Sequence, residues 1–293
     1  MRLNPHLAAM PGGYLFAEIA RRVQAYEPRA PRPIIRLGIG DVTQPLAPAI
    51  TRALAQAAEE MGTAQGFHGY PPDQGYAFLR QAIIDADYAP LGVALELDEV
   101  FVSDGAKTDT SALPELLAAD ARIAVTDPVY PAYVDANAMA GRLGDYVNGG
   151  WSRLLTLPCR ADNGFVPELP TEPVDMLYLC YPNNPTGTVL TREQLARFVD
   201  YALRTETLIL FDAAYKAYIT DPAIPRSIYE IPGADRVAVE CCSFSKSAGF
   251  TGTRCAYTII PKALTARLDG RAVSLNALWA RRVACRQNGV SYP

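Results

Sequence analysis

The feature that most constrains this chain is a series of short, uninterrupted apolar runs, most of them separated from the next by a stretch with helical periodicity. The runs are Val100-Phe101-Val102, Arg122-Ile123-Ala124-Val125, Met176-Leu177-Tyr178-Leu179-Cys180, Leu208-Ile209-Leu210-Phe211, Val237-Ala238-Val239 and Cys255-Ala256-Tyr257-Thr258-Ile259-Ile260. Runs without polar alternation suit strands covered on both faces. Helices between them give an α/β fold, a mainly parallel sheet flanked by helices. One amphipathic helix is marked by Ile50, Leu54, Ala58 and Met61, and another by Phe78, Leu79, Ala82 and Ile83. The clearest helix start is the capping-box pattern Thr191-Arg192-Glu193-Gln194 ahead of Leu195, Phe198, Val199 and Leu203. The first 35 or so residues are proline-rich, with one helical stretch from about Tyr14 to Tyr26, and read as an N-terminal arm outside the sheet domain.

Several classes of function are excluded at once. The net charge of −4, with no long basic run, offers no footprint for nucleic acid. Hydrophobic residues make up 49% of the 293, yet no apolar stretch approaches the roughly 18 residues that cross a bilayer. Met1-Arg2-Leu3-Asn4-Pro5-His6 lacks the charged flank and apolar core of a secretory signal, so a cytoplasmic protein is expected. The six cysteines have no CxxC spacing, and Cys180, Cys241, Cys242 and Cys255 lie in or beside apolar runs, which predicts buried free thiols. With His6 and His68 as the only histidines, no metal site is expected.

Polar residues gather just after the predicted strands: Asp104-Gly105-Ala106-Lys107, Asp127-Pro128-Val129-Tyr130, Asn183-Asn184-Pro185-Thr186-Gly187, Asp212-Ala213-Ala214-Tyr215 and Ser243-Phe244-Ser245-Lys246. Ligands of open α/β sheets bind beyond the carboxyl ends of the strands, so five such loops nominate one shared site. Lys246, flanked by two serines and followed eight residues later by Arg254, can hold an aldehyde as a Schiff base while hydroxyls and guanidinium grip a phosphate; the natural aldehyde of that kind is pyridoxal phosphate. Asp212 ends an apolar run, where a carboxylate can pair with a protonated pyridine nitrogen. Tyr215 and Asn184 can reach the ring's phenolic oxygen. Each residue alone also has an ordinary reading: a surface lysine, a solvated strand-end aspartate, a packing tyrosine.

In this order and spacing, Asn183 to Gly187, Asp212 to Tyr215, and Ser243 to Lys246 with Arg254 resemble the fold-type I pyridoxal phosphate aminotransferases. The resemblance implies that Lys246 carries the cofactor and shuttles the proton, that Asp212 holds the pyridine nitrogen, and that Asn184 and Tyr215 bond the ring oxygen. Ser243, Ser245 and Arg254 are then expected on the phosphate, joined by the backbone N–H groups of Ala106 and Lys107 at a helix start. Tyr130 is expected to stack on the ring.

A finer resemblance spans nearly the whole chain. Pro11 to Phe16, Leu37 to Asp41, Gly69 to Gly75, Ser103 to Lys107, Ser243 to Arg254 and Asn288 to Tyr292 are similar to the LL-diaminopimelate aminotransferase family, which moves an amino group between LL-diaminopimelate and 2-oxoglutarate in lysine and cell-wall synthesis. By that resemblance Tyr14, Gly40, Lys107, Tyr130, Asn184 and Asn288 touch substrate, and Tyr70 reaches the phosphate in the partner subunit of a homodimer with shared active sites. Asp73 stands where the family usually has glutamate, and is expected to reach the distal ammonium of the substrate across the dimer. The expected division is 1–44 for the arm and part of a small domain, 45–280 for the cofactor-binding large domain, and 281–293 for the start of a further C-terminal segment.

Other amino acid aminotransferases share every cofactor residue, and a cofactor-binding protein without turnover, or a lyase using the same cofactor, is a separate reading. The family's chains continue further and carry there an arginine that clamps the substrate carboxylate; no residue here takes that role. A chain ending at Pro293 is accordingly expected to expose the apolar face Leu275, Leu278, Trp279 and Val283, and to turn over substrate about 100-fold more slowly or worse.

Overall fold

In the computed structural model of this chain, residues 1–10, 15–36 and 40–285 are described. Helices α1 (Pro5–Ala8), α2 (Leu15–Tyr26) and α3 (Pro48–Met61) bury no residue of their own. Asn4 caps α1, accepting from the amides of His6 and Leu7, and its Nδ2 donates to the Met139 carbonyl at 3.0 Å, which ties the arm to the body. Helix α4 (Ala77–Ile83) runs on through a π-helical turn at Ile84–Tyr88 that buries Ile84 and Tyr88.

The body then alternates strand and helix. In chain order come β1 (Val100–Ser103), α5 (Ala106–Ala112), β2 (Ile123–Asp127), α6 (Pro131–Met139), a small hairpin β3 (Tyr146–Val147) and β4 (Gly150–Trp151), then β5 (Leu154–Pro158), β6 (Met176–Cys180), α7 (Arg192–Thr205), β7 (Leu208–Asp212), β8 (Ala238–Ser243), α8 (Phe244–Ser247) and β9 (Ala256–Ile259). A second hairpin, β10 (Thr265–Leu268) and β11 (Arg271–Ser274), leads to α9 (Leu275–Cys285).

Seven strands form one sheet in the order β1-β9-β8-β7-β6-β2-β5. The pairs from β8 to β5 are parallel, and β9 alone runs against its neighbours β8 and β1. Successive residues of the central strands point to opposite faces and feed two cores. Leu177, Leu179, Ile209 and Phe211 pack with Leu195, Phe198 and Val199 of α7 on one side. Met176, Tyr178, Leu208 and Leu210 pack with α5, α6 and α9 on the other. This is the flanked, mainly parallel sheet that the apolar runs predict.

The hairpins β3-β4 and β10-β11 have no counterpart in the sequence reading, and within the seven-stranded sheet two strands exceed it. β5 lies at the sheet edge, half-exposed, and ends on Pro158, so it lacks the continuous apolar signal of a covered strand. β8 continues past Val239 through Glu240, a carboxylate with no exposure whose oxygens accept from Tyr88 Oη and Ser227 Oγ at 2.7 Å and from the Ile228 amide at 2.9 Å. A buried acid so satisfied is compatible with a central strand, though it breaks the sequence pattern.

The expected exposure of the final helix is corrected. Leu275, Trp279 and Val283 of α9 are buried, packed with Leu113 and Leu264, and only Leu278 is exposed, at 38%. The domain's own 3₁₀ turn at Leu113–Leu116 covers that face. All six cysteines are free; Cys159, Cys180, Cys241 and Cys242 are buried, Cys255 is half-buried and Cys285 is exposed.

Candidate active site

The loops leaving β1, β2, β6, β7 and β8 hold the polar residues singled out above. Asp212 closes β7 and is only 6% exposed. Its Oδ1 accepts from the Ala214 amide at 3.0 Å and its Oδ2 from the Tyr133 hydroxyl at 2.5 Å. Burial pushes this carboxyl up, and those two hydrogen bonds pull it back down. Tyr133 is a site residue that the sequence reading missed. It lies on the first turn of α6, three residues after Tyr130, and an isolated tyrosine on a helix reads as packing.

Lys246 sits on the single turn α8, which begins where Ser243 Oγ accepts the Ser245 amide at 3.0 Å. Its Nζ donates to the Gly40 carbonyl, which draws the arm into the site, and lies 5.7 Å from the centre of the Tyr215 ring. The Tyr215 hydroxyl accepts from Asn184 Nδ2 at 3.3 Å. Burial pushes the Tyr215 phenol up, with Cys180 and Asp212 adding to the effect. Lys246, Gly40, Asn184 and Asp212 are thereby gathered around one tyrosine.

A cup for an anion lies at the start of α5. Gly105 precedes the helix, and a Cβ there would fall 2.0 Å from a terminal nitrogen of Arg254, so the guanidinium rests directly on the helix start. Arg254 takes a left-handed conformation, φ +68°, and donates to the Thr251 carbonyl at 3.1 Å and to Ser245 Oγ at 3.4 Å. Ala106 and Lys107 open α5, where backbone N–H groups lack intrahelical acceptors. The Lys107 ammonium lies 6.0 Å from the Tyr130 ring centre, and Tyr130 meets Tyr133 edge-on at 5.4 Å. Beneath the cup, the Asp109 carboxyl accepts from Ser103 Oγ and from Thr258 Oγ1 at 2.9 Å, and burial pushes it up to about 7.

Not every expected residue joins this cluster. Tyr70 is 95% exposed and Asp73 is also exposed, and neither bonds to the site within this chain. Tyr14 and Asn288 lie outside the described residues. Among the described residues, no group of three or more His, Cys, Asp or Glu is placed to hold a metal ion. Chemically, the arrangement offers an amine beside Tyr215, a guanidinium-and-hydroxyl anion cup and a buried carboxylate, a set of groups that suits a small molecule bearing a carbonyl, a phosphate and a basic ring nitrogen.

Against known proteins, residues 32–284 match the family model described as Aminotransferase class I and II. The chain is 55% identical over 292 residues to the LL-diaminopimelate aminotransferase of Parabacteroides distasonis, covering 99% of this chain and 71% of that one. To the LL-diaminopimelate aminotransferase of Desulfosudis oleivorans it is 54% identical over 295 residues, covering 100% of this chain and 72% of the relative. The solved structure of L,L-diaminopimelate aminotransferase from Chlamydomonas reinhardtii is similar with a TM-score of 0.91 and 41% identity, over 99% of this chain and 71% of that one.

Proposed function

This chain belongs to the class I and II aminotransferases, and from that membership we propose that it moves an amino group between LL-diaminopimelate and 2-oxoglutarate, with pyridoxal phosphate as cofactor. The observation that carries the reading of the substrate is the 53–55% identity to LL-diaminopimelate aminotransferases along essentially the whole chain.

The residues present fit the cofactor. Contact between the Arg254 guanidinium and the α5 start exists only because position 105 has no Cβ, and a cup of guanidinium, hydroxyls and helix amides is the chemistry a phosphate needs. At the other end, Asp212 is a buried carboxylate whose partners are one hydroxyl and one amide, a group suited to face a protonated ring nitrogen. When bound, pyridoxal phosphate supplies the carbon that takes the amino group and a ring that accepts electrons as the substrate Cα–H bond breaks.

The chain's own residues do the rest. Lys246 would hold the cofactor carbon through its amine and carry the proton at the substrate Cα. Asp212 would keep a proton on the ring nitrogen. Asn184 and Tyr215, already hydrogen-bonded to each other, would orient the ring oxygen, and Tyr130 would cover a ring face. Ser243, Ser245, Arg254 and the amides of Ala106 and Lys107 would grip the phosphate. Gly40, Lys107, Tyr130 and Asn184, with Tyr14 and Asn288, would meet the substrate.

The exposure of Tyr70 and Asp73 accords with their serving the site of a second copy, in a cytoplasmic homodimer. An amino-donor scan with 2-oxoglutarate tests the substrate: LL-diaminopimelate is expected to exceed aspartate, aromatic and branched-chain amino acids in kcat/KM by at least about 100-fold, a margin of roughly 2.7 kcal/mol. Equal rates with aspartate would contradict the proposed specificity while leaving the family intact.

A further inference from the structure

The Tyr133 hydroxyl donates to Asp212 and has the buried Cys180 thiol as its other polar neighbour. Tyr133 is 1% exposed. Its ring stacks on Tyr178 with centroids 4.7 Å apart and planes at 17°, and meets the edge of Tyr130. Tyr178 is itself pinned, donating to the Thr110 carbonyl and accepting from Asn137 Nδ2, each at 3.0 Å. With the ring so held, the hydroxyl is aimed at Asp212 Oδ2 across 79 residues of sequence. Cys180 on β6, Cys241 on β8 and Tyr215 also feel the Asp212 charge, and burial pushes all three up, so each stays neutral and adds no second negative charge beside it. Burial pushes the Asp212 carboxyl up, and one hydroxyl and the Ala214 amide pull it back toward the charged form.

We infer that Tyr133 is a positioning residue for this site: by donating to Asp212 it makes that carboxylate a weaker base and fixes its orientation, so that the proton shared with the cofactor's ring nitrogen stays on the nitrogen. This rests on the reading of the site as a pyridoxal phosphate site. Hydrogen bonds donated to a carboxylate favour its charged form, and those to a charged acceptor are the strong ones. The stack on Tyr178 needs only the ring, so Tyr133→Phe removes the hydroxyl alone.

The test uses the full chain loaded with pyridoxal phosphate labelled with ¹⁵N at the ring. In the unaltered protein the ring nitrogen should resonate at the protonated position. In Tyr133→Phe it should move toward the unprotonated position, with kcat lower by about tenfold or more and the KM for the amino donor changed less than about threefold. An unmoved resonance with kcat within twofold of the parent overturns the inference. If Tyr133→Phe does not fold, 3-fluorotyrosine at position 133, nearly the same size and a stronger donor, should hold the ring-nitrogen resonance at or beyond the parent's protonated position at the same pH; movement toward the unprotonated position overturns the inference. Absence of a visible bound-cofactor band in the unaltered protein would sink the reading of the site and the inference with it. A normal band with one resonance common to both proteins would sink the inference alone.

Discussion

On the proposed function, Lys246 and Asp212 would divide the work between an amine that meets the cofactor carbon and a carboxylate that faces the far end of the ring. Lys246→Ala should lower transamination by about 10⁴-fold, because attachment and proton transfer are lost together. Asp212→Ala should cost about 100-fold or more, since an unprotonated ring is a poor electron sink. Steady-state rates on folded, cofactor-saturated variants check both, and full turnover by either contradicts its assigned role. Asp109 gives a prediction in pH. Its folded pKa of about 7 stands above the unfolded value of 3.8, so the stabilisation is complete below the unfolded value and is lost as pH rises through about 7. At about 1.4 kcal/mol per pH unit the loss between pH 4 and pH 8 is roughly 4 kcal/mol. Urea denaturation should show Asp109→Asn flatter than the parent over that interval; parallel profiles would assign the titration elsewhere. Among single residues, Lys246, Asp212 and Arg254 were legible because strand ends and spacing mark them. Tyr133 and Asp109 were not, since their meaning lies in partners brought close only by the fold.

The elements make the cup. Gly105→Ala should leave stability nearly unchanged, because the atom its Cβ meets is the end of a flexible arginine. The guanidinium must then swing off the start of α5, and cofactor affinity should fall about tenfold or more, the scale of one charge-assisted hydrogen bond. Equilibrium titration with pyridoxal phosphate alongside thermal denaturation separates the two effects; unchanged affinity would mean that Arg254 grips the phosphate without resting on the helix. Helix α7 was legible to its first residue: Thr191 Oγ1 accepts the Gln194 amide at 3.2 Å, and Gln194 Oε1 accepts the Thr191 amide at 2.8 Å. β5 escaped because an edge strand need not be apolar on both faces, and the far half of β8 because a satisfied buried glutamate looks like a strand end. The apolar face of α9 read as unpartnered because its cover, Leu113, lies more than 160 residues earlier in the chain.

At the scale of the molecule, the sheet brings five loops to one edge, so that residues from Gly40 to Arg254 meet around Tyr215 and α5. Their convergence was legible from the polar clusters that follow each apolar run. The reversal of β9 was not, because an apolar run reads the same in either direction. The exposed Tyr70 belongs, in this account, to the site of a second copy, so sedimentation should give twice the chain mass, and Tyr70→Phe should weaken cofactor binding without dissociating the pair; a monomer that binds cofactor as tightly as a dimer would contradict shared sites. A pyridoxal phosphate aminotransferase acting on LL-diaminopimelate must carry out two half-reactions, and both can be watched on the loaded protein. Adding LL-diaminopimelate alone should abolish the visible band of the bound cofactor, and 2-oxoglutarate should restore it. No change with LL-diaminopimelate, or the same loss of the band at equal concentrations of aspartate, would contradict the account.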